Sequence, residues 1–469
     1  MTFRVFVWNT LSKMNLSFLR DKTFIRSMLS LAIPVAFQQF ITAGMNMVDV
    51  LMVGQLGEAS IAGLGLANQV FFLLILFLFG VTSGMAIFTA QFWGKGDEDG
   101  IRRVLGICLT VALGVGLLFT LAATMIPETV LRFYTEDPEV IEIGSSYLRI
   151  VGFSYMFMAV TTSYFAVLRS ITFVKITVIV SVIAIILKTG LGYLFIFGIG
   201  GLPALGVRGA AIGTTFGWIF QCVLIIILVY VLKTPLAANP LTFFRFDRAF
   251  LGKVLKTAMP AAANEVFWSV GITVYNAVYA RIGTDAIASV QINATMEEIA
   301  FVFFIGLGNA CAIMVGNKIG AGEKDLAFEY GRRFTILTVL MALVAGAVIL
   351  SVRAPVIGLY DISEEAASNV FRLMTIFSLT AWLRGINFIL FIGALRAGGD
   401  TRFAMFMELF SIWVIGVPAA LIGGFVLHLP VYGVYMLVLL EEVAKVFVMV
   451  RRYRSRKWIH NLVNVPEAI

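Results

Sequence analysis

The stretches "LSLAIPVAFQQFITAG" (29–44) and "LKTAMPAAANEVFWSV" (255–270) lie over one another at a shift of 226, with Pro34 above Pro260. The same shift pairs Gly57 with Gly283, Gly80 with Gly306, Gly94 with Gly320 and Gly96 with Gly322. One residue of drift later, a shift of 227 sets "LRSITFVK" (168–175) over "LRAGGDTR" (395–402) through Leu168–Leu395 and Arg169–Arg396, and pairs Pro203 with Pro430 and Gly206 with Gly433. Glycine and proline coincidences at one offset over so long a stretch mark an internal duplication, not two unrelated apolar runs.

Composition says what is duplicated. Of 469 residues, 60% are hydrophobic and only 13% charged, whereas soluble domains sit near half apolar and a quarter charged. Apolar runs of roughly 20 residues mark membrane-spanning helices. Twelve are expected, at about 25–53, 59–92, 101–126, 137–168, 176–199, 207–232, 253–282, 286–317, 329–351, 365–394, 403–426 and 431–450. The expected organisation is a cytoplasmic leader (1–24), an N-lobe of six helices (25–232), a cytoplasmic link (233–252), a C-lobe of six helices (253–450) and a basic cytoplasmic tail (451–469). Six is an even number, so both halves enter the membrane from the same side. The expectation is an all-α membrane protein whose lobes are related by a pseudo-two-fold axis along the membrane normal, the parallel-repeat architecture of transporters with a cavity between lobes.

The net charge of +8 is a topology signal. Of 35 Lys and Arg, 26 fall in the N-terminal segment, the even-to-odd links and the tail; Arg132, Arg208, Arg281 and Arg353 face the other way. Short loops rich in Lys and Arg stay cytoplasmic, which puts both termini inside and the chain in the plasma (inner) membrane. The charge therefore implies no nucleic acid, and the partners expected are small molecules, ions and membrane lipids. Cys108, Cys222 and Cys311 sit inside apolar runs without ligand or disulfide spacing and read as buried thiols. The chain has two histidines, His428 and His460, and no H-E-x-x-H, G-x-x-x-x-G-K-[ST] or G-x-S-x-G. "WGKGDEDG" (93–100) reads as a turn. Neither enzyme chemistry, a cofactor nor a metal centre is expected, and without an ATP site the energy must come from an ion gradient.

"MVDVLMVGQLGEASIAGLG" (47–65), "GKGD" (94–97), the paired "LRS" and "LRAGGDT" segments and "LGVRGAAIGT" (205–214) together resemble the multidrug and toxic compound extrusion (MATE) family, along about 25–450. The resemblance implies a two-lobed exporter working by alternating access, expelling organic cations in exchange for protons or sodium. It also implies that Asp49, which matches the acid of the family's first helix, couples ion to substrate.

Ionisable groups at mid-membrane are costly and are functional candidates by default. Asp49 is one: desolvation favours its protonated form and a nearby cation its ionised form. Lys188 stands in "LKTGLGY", where the family often offers amide or acidic side chains close to that acid. A lysine there would compete with sodium and remove ligands that hard cations need, which favours an Asp49–Lys188 pair opening and closing as protons pass; a snorkelling lysine is the alternative. Glu265 and Trp268, three apart on one helix face, suit a lipophilic cation through charge pairing and cation–π contact. Cation coupling is thus expected at Asp49, Lys188 and Glu265, and substrate binding at Glu265, Trp268, Glu298, Gln39, Gln69, Tyr275 and Asn387. Either Glu297 or Glu298 faces the cavity, Arg384 partners an acid of the seventh or eighth helix, and Glu408 reads as structural. The function expected is proton-driven antiport of amphipathic organic cations. Sodium-driven antiport and a flippase for lipid-linked saccharides are the alternatives; a channel does not suit a two-lobe repeat. A phosphatase domain fused after Lys457 is expected to be inactive in intact cells, and one inserted at 134–136 active; the reverse pattern would invert the topology.

Overall fold

The computed structural model describes residues 16–201 and 203–463; the expected leader therefore lies outside the described residues up to residue 15, and the tail beyond residue 463. The long helices are α1 Lys22–Gly54, α2 Glu58–Lys95, α3 Glu98–Met125, α4 (Pro138–Val151 with Ser154–Ser170), α5 Val174–Phe197, α6 Val207–Val231, α7 Arg248–Ile282, α8 Thr284–Gly320, α9 Lys324–Ile357, α10 Glu364–Arg396, α11 Thr401–Val426 and α12 Val431–Arg454. Among the described residues, nine are long and apolar enough to cross a bilayer, ten with α4, whose halves meet at 53°. The remaining two, α7 and α12, are 35 and 24 residues long. They are interrupted by polar and charged residues, Glu441, Glu442 and Lys445 foremost in α12.

The duplication is visible in the local chemistry. Asp21 caps α1, its Oδ1 accepting from Phe24 N at 3.0 Å, and its repeat mate Asp247 caps α7 in the same way from Phe250 N. That backbone N–H, with the Arg333 guanidinium, holds the Asp21 carboxyl below the usual carboxylate range.

The lobes meet through α1, α2, α7 and α8. The contacts are reciprocal under the sequence shift, as an axis between lobes demands. A Cβ added to Gly94 would fall 1.9 Å from the Asn317 carbonyl oxygen, and one added to Gly320 would fall 1.9 Å from that of Gln91; Gln91 and Asn317 are themselves repeat mates. Gly80 meets Ala262 and Gly306 meets Ala32 and Ala36 in the same swapped fashion. Water supplies no hydrophobic drive between helices in lipid, so close backbone approach over small residues is what holds them.

This seam occupies one half of the molecule's height. Near it the apolar cores merge across the lobes: Phe24, Met28, Leu31 and Val35 of α1 pack with Leu307, Met314 and Phe334 of the C-lobe, and Val254 and Ala258 of α7 pack with Val81, Met85 and Phe88. At the other end each lobe has its own core, one around Leu64, Leu74, Tyr147 and Tyr155, the other around Tyr275, Val278, Val434 and Leu439. The lobes are thus joined at the end that holds the start of α1 and apart at the other. Residues 455–463 run across the joined end: Trp458 is fully buried in the C-lobe, while the Leu462 N–H donates to Gln91 Oε1 at 2.7 Å and Lys95 Nζ to the Val463 carbonyl at 3.0 Å.

Gly94→Val is expected to force the joined end apart, since over-packing a close contact costs about 1–3 kcal/mol. Spin labels at the repeat-mate positions Glu58 and Thr284, on the separated end, should then move closer than in the unsubstituted protein; an unchanged distance would show that the seam does not set the opening.

Candidate functional site

In the N-lobe, α1 and α5 bring Asp49 and Lys188 together near the separated end. Lys188 Nζ donates to Asp49 Oδ2 at 2.6 Å, and Thr189 Oγ1 donates to Oδ1 at 3.3 Å. Both charged side chains remain about a quarter exposed. The pair is therefore mostly buried, with one edge open to solvent-reachable space.

The C-lobe interior holds a larger network. Arg384 of α10 donates to Glu297 of α8 and, at 2.9 Å, to the Tyr435 hydroxyl, which itself donates to Glu297. Asn293 Nδ2 donates to Glu297 Oε1 at 2.6 Å and Asn387 Nδ2 to Glu442 Oε2 at 2.6 Å, leaving the Oδ1 of both amides buried without a partner among the described residues. Lys445 of α12 lies 3.1 Å from Glu408 and 3.0 Å from Glu441, and Tyr275 donates to Glu441. Four carboxyl groups (Glu297, Glu408, Glu441 and Glu442) thus face two cations (Arg384 and Lys445).

Between the lobes, level with the seam, lies a cavity of about 390 Å³ walled by α1, α2, α4, α8 and α10. Its wall is largely apolar, with Gln39, Thr82, Ser83, Thr162, Ser170 and Asn309 as neutral polar groups and Arg169 and Arg396 as charged ones.

The sequence expectations divide accordingly. Asp49 and Lys188 are brought together, and Arg384 finds its acid in Glu297, the inward-turned member of the Glu297–Glu298 pair; Glu298 is exposed. Gln39 lines the cavity. Glu265 stands beside the cavity wall, its Oε1 accepting from Arg396 Nη2 at 2.7 Å, while Trp268 is 38% exposed. Tyr275 and Asn387 point into the C-lobe network rather than the inter-lobe cavity, and Gln69 is exposed. Glu408, read as structural, is a member of that network. Sequence reasoning passed over Glu441, Glu442 and Lys445, although "LEEVAK" inside an apolar run was the available signal. It also counted Arg169 and Arg396 as loop charges, where the structure places both at the cavity. Among the described residues no three His, Cys, Asp or Glu are grouped to hold a metal ion.

A two-lobed, all-helical membrane protein with charges buried inside each lobe and a cavity on the axis between them belongs to the class of membrane transporters. The sequence pattern of the MatE family matches residues 34–194 and 260–422, the two halves beginning at the repeat-mate prolines, and the chain belongs to that family. It is 24% identical to the "Uncharacterized transporter YisQ" of Bacillus subtilis, covering 94% of this chain and 96% of that one. It is 28% identical to the "Probable multidrug resistance protein NorM" of Rhizobium meliloti, over 84% and 85%. Its fold is shared with a MOP superfamily transporter from Pyrococcus furiosus, with a TM-score of 0.81 at 20% identity, over 92% and 95%.

Removing one cation from the C-lobe network should expose the surplus of acid. Lys445→Met is expected to lower stability by about 3–5 kcal/mol, the usual cost of stripping a buried charge of its partner. Part of the loss should be recovered between pH 7.5 and pH 5.5, because protonation relieves like-charge repulsion; thermal unfolding at the two pH values reads it.

Proposed function

We propose that the protein is a proton-driven multidrug exporter of the plasma membrane, moving amphipathic organic compounds, organic cations among them, outward by alternating access. The observation that carries this reading is the Asp49–Lys188 ion pair at the separated end of the N-lobe. With the arginine-rich links on the cytoplasmic side, that end faces outward, and the cleft between lobes is open to the exterior. A proton arriving from outside neutralises Asp49 and releases Lys188. The pair no longer holds α1 against α5, and a neutral carboxyl loses far less on entering a closed, low-dielectric interior than an ionised one. Closure of the outer cleft with the proton on board, proton release to the cytoplasm and re-formation of the pair then reset the N-lobe. The surplus carboxyl groups of the C-lobe offer a second place for protons to ride.

Sodium suits this arrangement less well. The Lys188 ammonium occupies an oxygen of Asp49, and the nearest other side-chain oxygen on that carboxylate is Thr189 Oγ1; sodium wants several oxygen ligands at once, as hard cations do. The family relatives named multidrug resistance proteins support the substrate breadth, and the mainly apolar cavity of about 390 Å³ is of a size that takes a drug-sized molecule. The flippase alternative would need a basic wall for a diphosphate headgroup, and the two cavity arginines are the observation in its favour.

In proteoliposomes, an imposed pH gradient alone is expected to drive ethidium transport and a sodium gradient alone to drive none. Asp49→Asn should slow the pH-driven flux at least tenfold, and Lys188→Ala should shift its pH optimum. Normal pH-driven flux in Asp49→Asn, or flux driven by sodium alone, would overturn the reading.

A further inference from the structure

The inter-lobe cavity carries a charge that export of organic cations does not call for. Among the described residues lining it, Arg169 and Arg396 are the charged ones, and no carboxylate reaches its wall. The two arginines are repeat mates, each at the end of the helix that closes its lobe's fourth position, and so they stand on the two sides of the axis. Their neutralisation differs. Arg396 is 3% exposed, donates to Glu265 at 2.7 Å and to Ser83 Oγ across the lobe boundary at 3.3 Å, and ends a π-helical stretch, Ile389–Arg396. Such stretches recur at functional sites. Arg169 has no carboxylate within ion-pair distance among the described residues. It donates to the Gln38 amide oxygen at 2.8 Å and to Thr177 Oγ1 at 3.2 Å. The repeat explains the difference: the position matching Glu265 is Gln39, so the acid that answers one arginine has no counterpart for the other.

A guanidinium taken out of water and held only by neutral groups keeps an unspent preference for an anion, and its planar fork suits a carboxylate in two parallel hydrogen bonds. Ser83, Thr162, Ser170 and Asn309 add neutral polar groups around it, while Leu78, Phe79 and Phe165 supply an apolar surround.

We propose that this cavity is a binding site for the carboxylate end of amphipathic organic acids and zwitterions, with Arg169 as the anchoring cation and Arg396, which Glu265 partly neutralises, as the second. This goes beyond the class of organic cations and deepens the reading of the chain as an exporter, on which it rests. It gives that exporter a reason to accept molecules bearing both charges: the acid end sits at the base of the cleft, and a basic end lies toward the open side.

The test uses two dyes that differ by one methyl ester, rhodamine 110 (free acid) and rhodamine 123 (ester), bound to the purified full-length protein without any gradient. Binding without a gradient separates this proposal from proton coupling, which could fail on its own. Fluorescence anisotropy is expected to show the acid bound at least fivefold tighter than the ester. Arg169→Gln should weaken the acid about tenfold and leave the ester within twofold, with Arg169→Lys in between; Glu265→Gln should tighten the acid. Equal or tighter binding of the ester by the unsubstituted protein would overturn the proposal, whether or not the variants fold. An unchanged acid-to-ester ratio in Arg169→Gln would also overturn it. So would displacement of the acid by inorganic pyrophosphate at concentrations where acetate and benzoate do nothing, an outcome that would assign the arginines to a diphosphate headgroup.

Discussion

The constraint on which the rest depends is the backbone approach of α2 and α8 at Gly94 and Gly320. Each glycine lies where any side chain would strike the carbonyl of the other helix, and each contact is the mirror of the other under the repeat. Lipid gives two helical bundles no reason to adhere through apolar area alone, so adhesion has to come from surfaces shaped to touch closely. Those surfaces are confined to one half of the molecule. The cores accordingly fuse there and separate elsewhere, and the cavity lies alongside the seam, with Ser83 between the contact residues Gly80 and Gly84. A seam made of small side chains and a few backbone contacts can open without dismantling either lobe, which alternating access requires. The segment 455–463 adds polar ties from the C-lobe to Gln91 and Lys95 of α2, so the joined end is fastened by something outside the helix packing as well.

On this symmetric frame the charges are distributed unequally. The N-lobe holds one acid and one base in balance. The C-lobe holds acids in surplus, and the axis between them holds bases in surplus. The asymmetry arises position by position: Asp49 is matched by Tyr275 and Glu265 by Gln39, whereas Arg169 and Arg396 match one another. Two similar scaffolds thus carry an ion pair in one lobe, a network in the other, and a net positive face on the shared wall. Burial makes each difference consequential, since an unbalanced charge that water would hide must here be met by a partner, a proton or a ligand.

Much of this was legible before any coordinates. The proline and glycine register located the halves; Gly80, Gly94, Gly306 and Gly320 of that register proved to be contact residues, while Gly57, Gly96 and Gly322 take the positive φ that glycine adopts without strain. Lys188 opposite Asp49 was readable for a similar reason: a lysine where amide or acidic groups are usual must answer a charge. What remained hidden depended on side-chain direction. Glu265 and Trp268 share a helix face by count, yet Glu265 is taken by Arg396 from α10, a partner that no local pattern reveals. Tyr275 and Asn387 turn into their own lobe toward Glu441 and Glu442, residues that an apolar average had absorbed. Arg169 and Arg396 sit at helix ends, where a positive charge is normally a topology signal, and only the packing of α2, α8 and α10 around them shows that they face a cavity instead.

The geometry also links the Asp49–Lys188 contact at one end of the molecule to the seam at the other. The helix that carries Asp49 is α1, and its seam contacts, Ala32 and Ala36, flank Pro34; the repeat mates Ala258 and Ala262 flank Pro260 in α7. Proline removes one hydrogen bond from the helical ladder and crowds the preceding turn, so bending concentrates there. Each of these two helices therefore has its most deformable point inside the seam. In α1 Asp49 lies about four turns beyond that point, a distance of roughly 22 Å at 1.5 Å per residue. A small rotation at Pro34 becomes a displacement of several ångströms at Asp49, and conversely the making or breaking of the contact with Lys188 applies a long lever to the packing of Ala32 and Ala36 on Gly306. The α7 helix has the same hinge with its acid, Glu265, only five residues away, where it holds Arg396 instead of moving through a long arc. The two acids are thus placed differently on the same scaffold: Asp49 at the far end of a long arm from its hinge, and Glu265 close to its hinge and paired with Arg396 at the cavity wall.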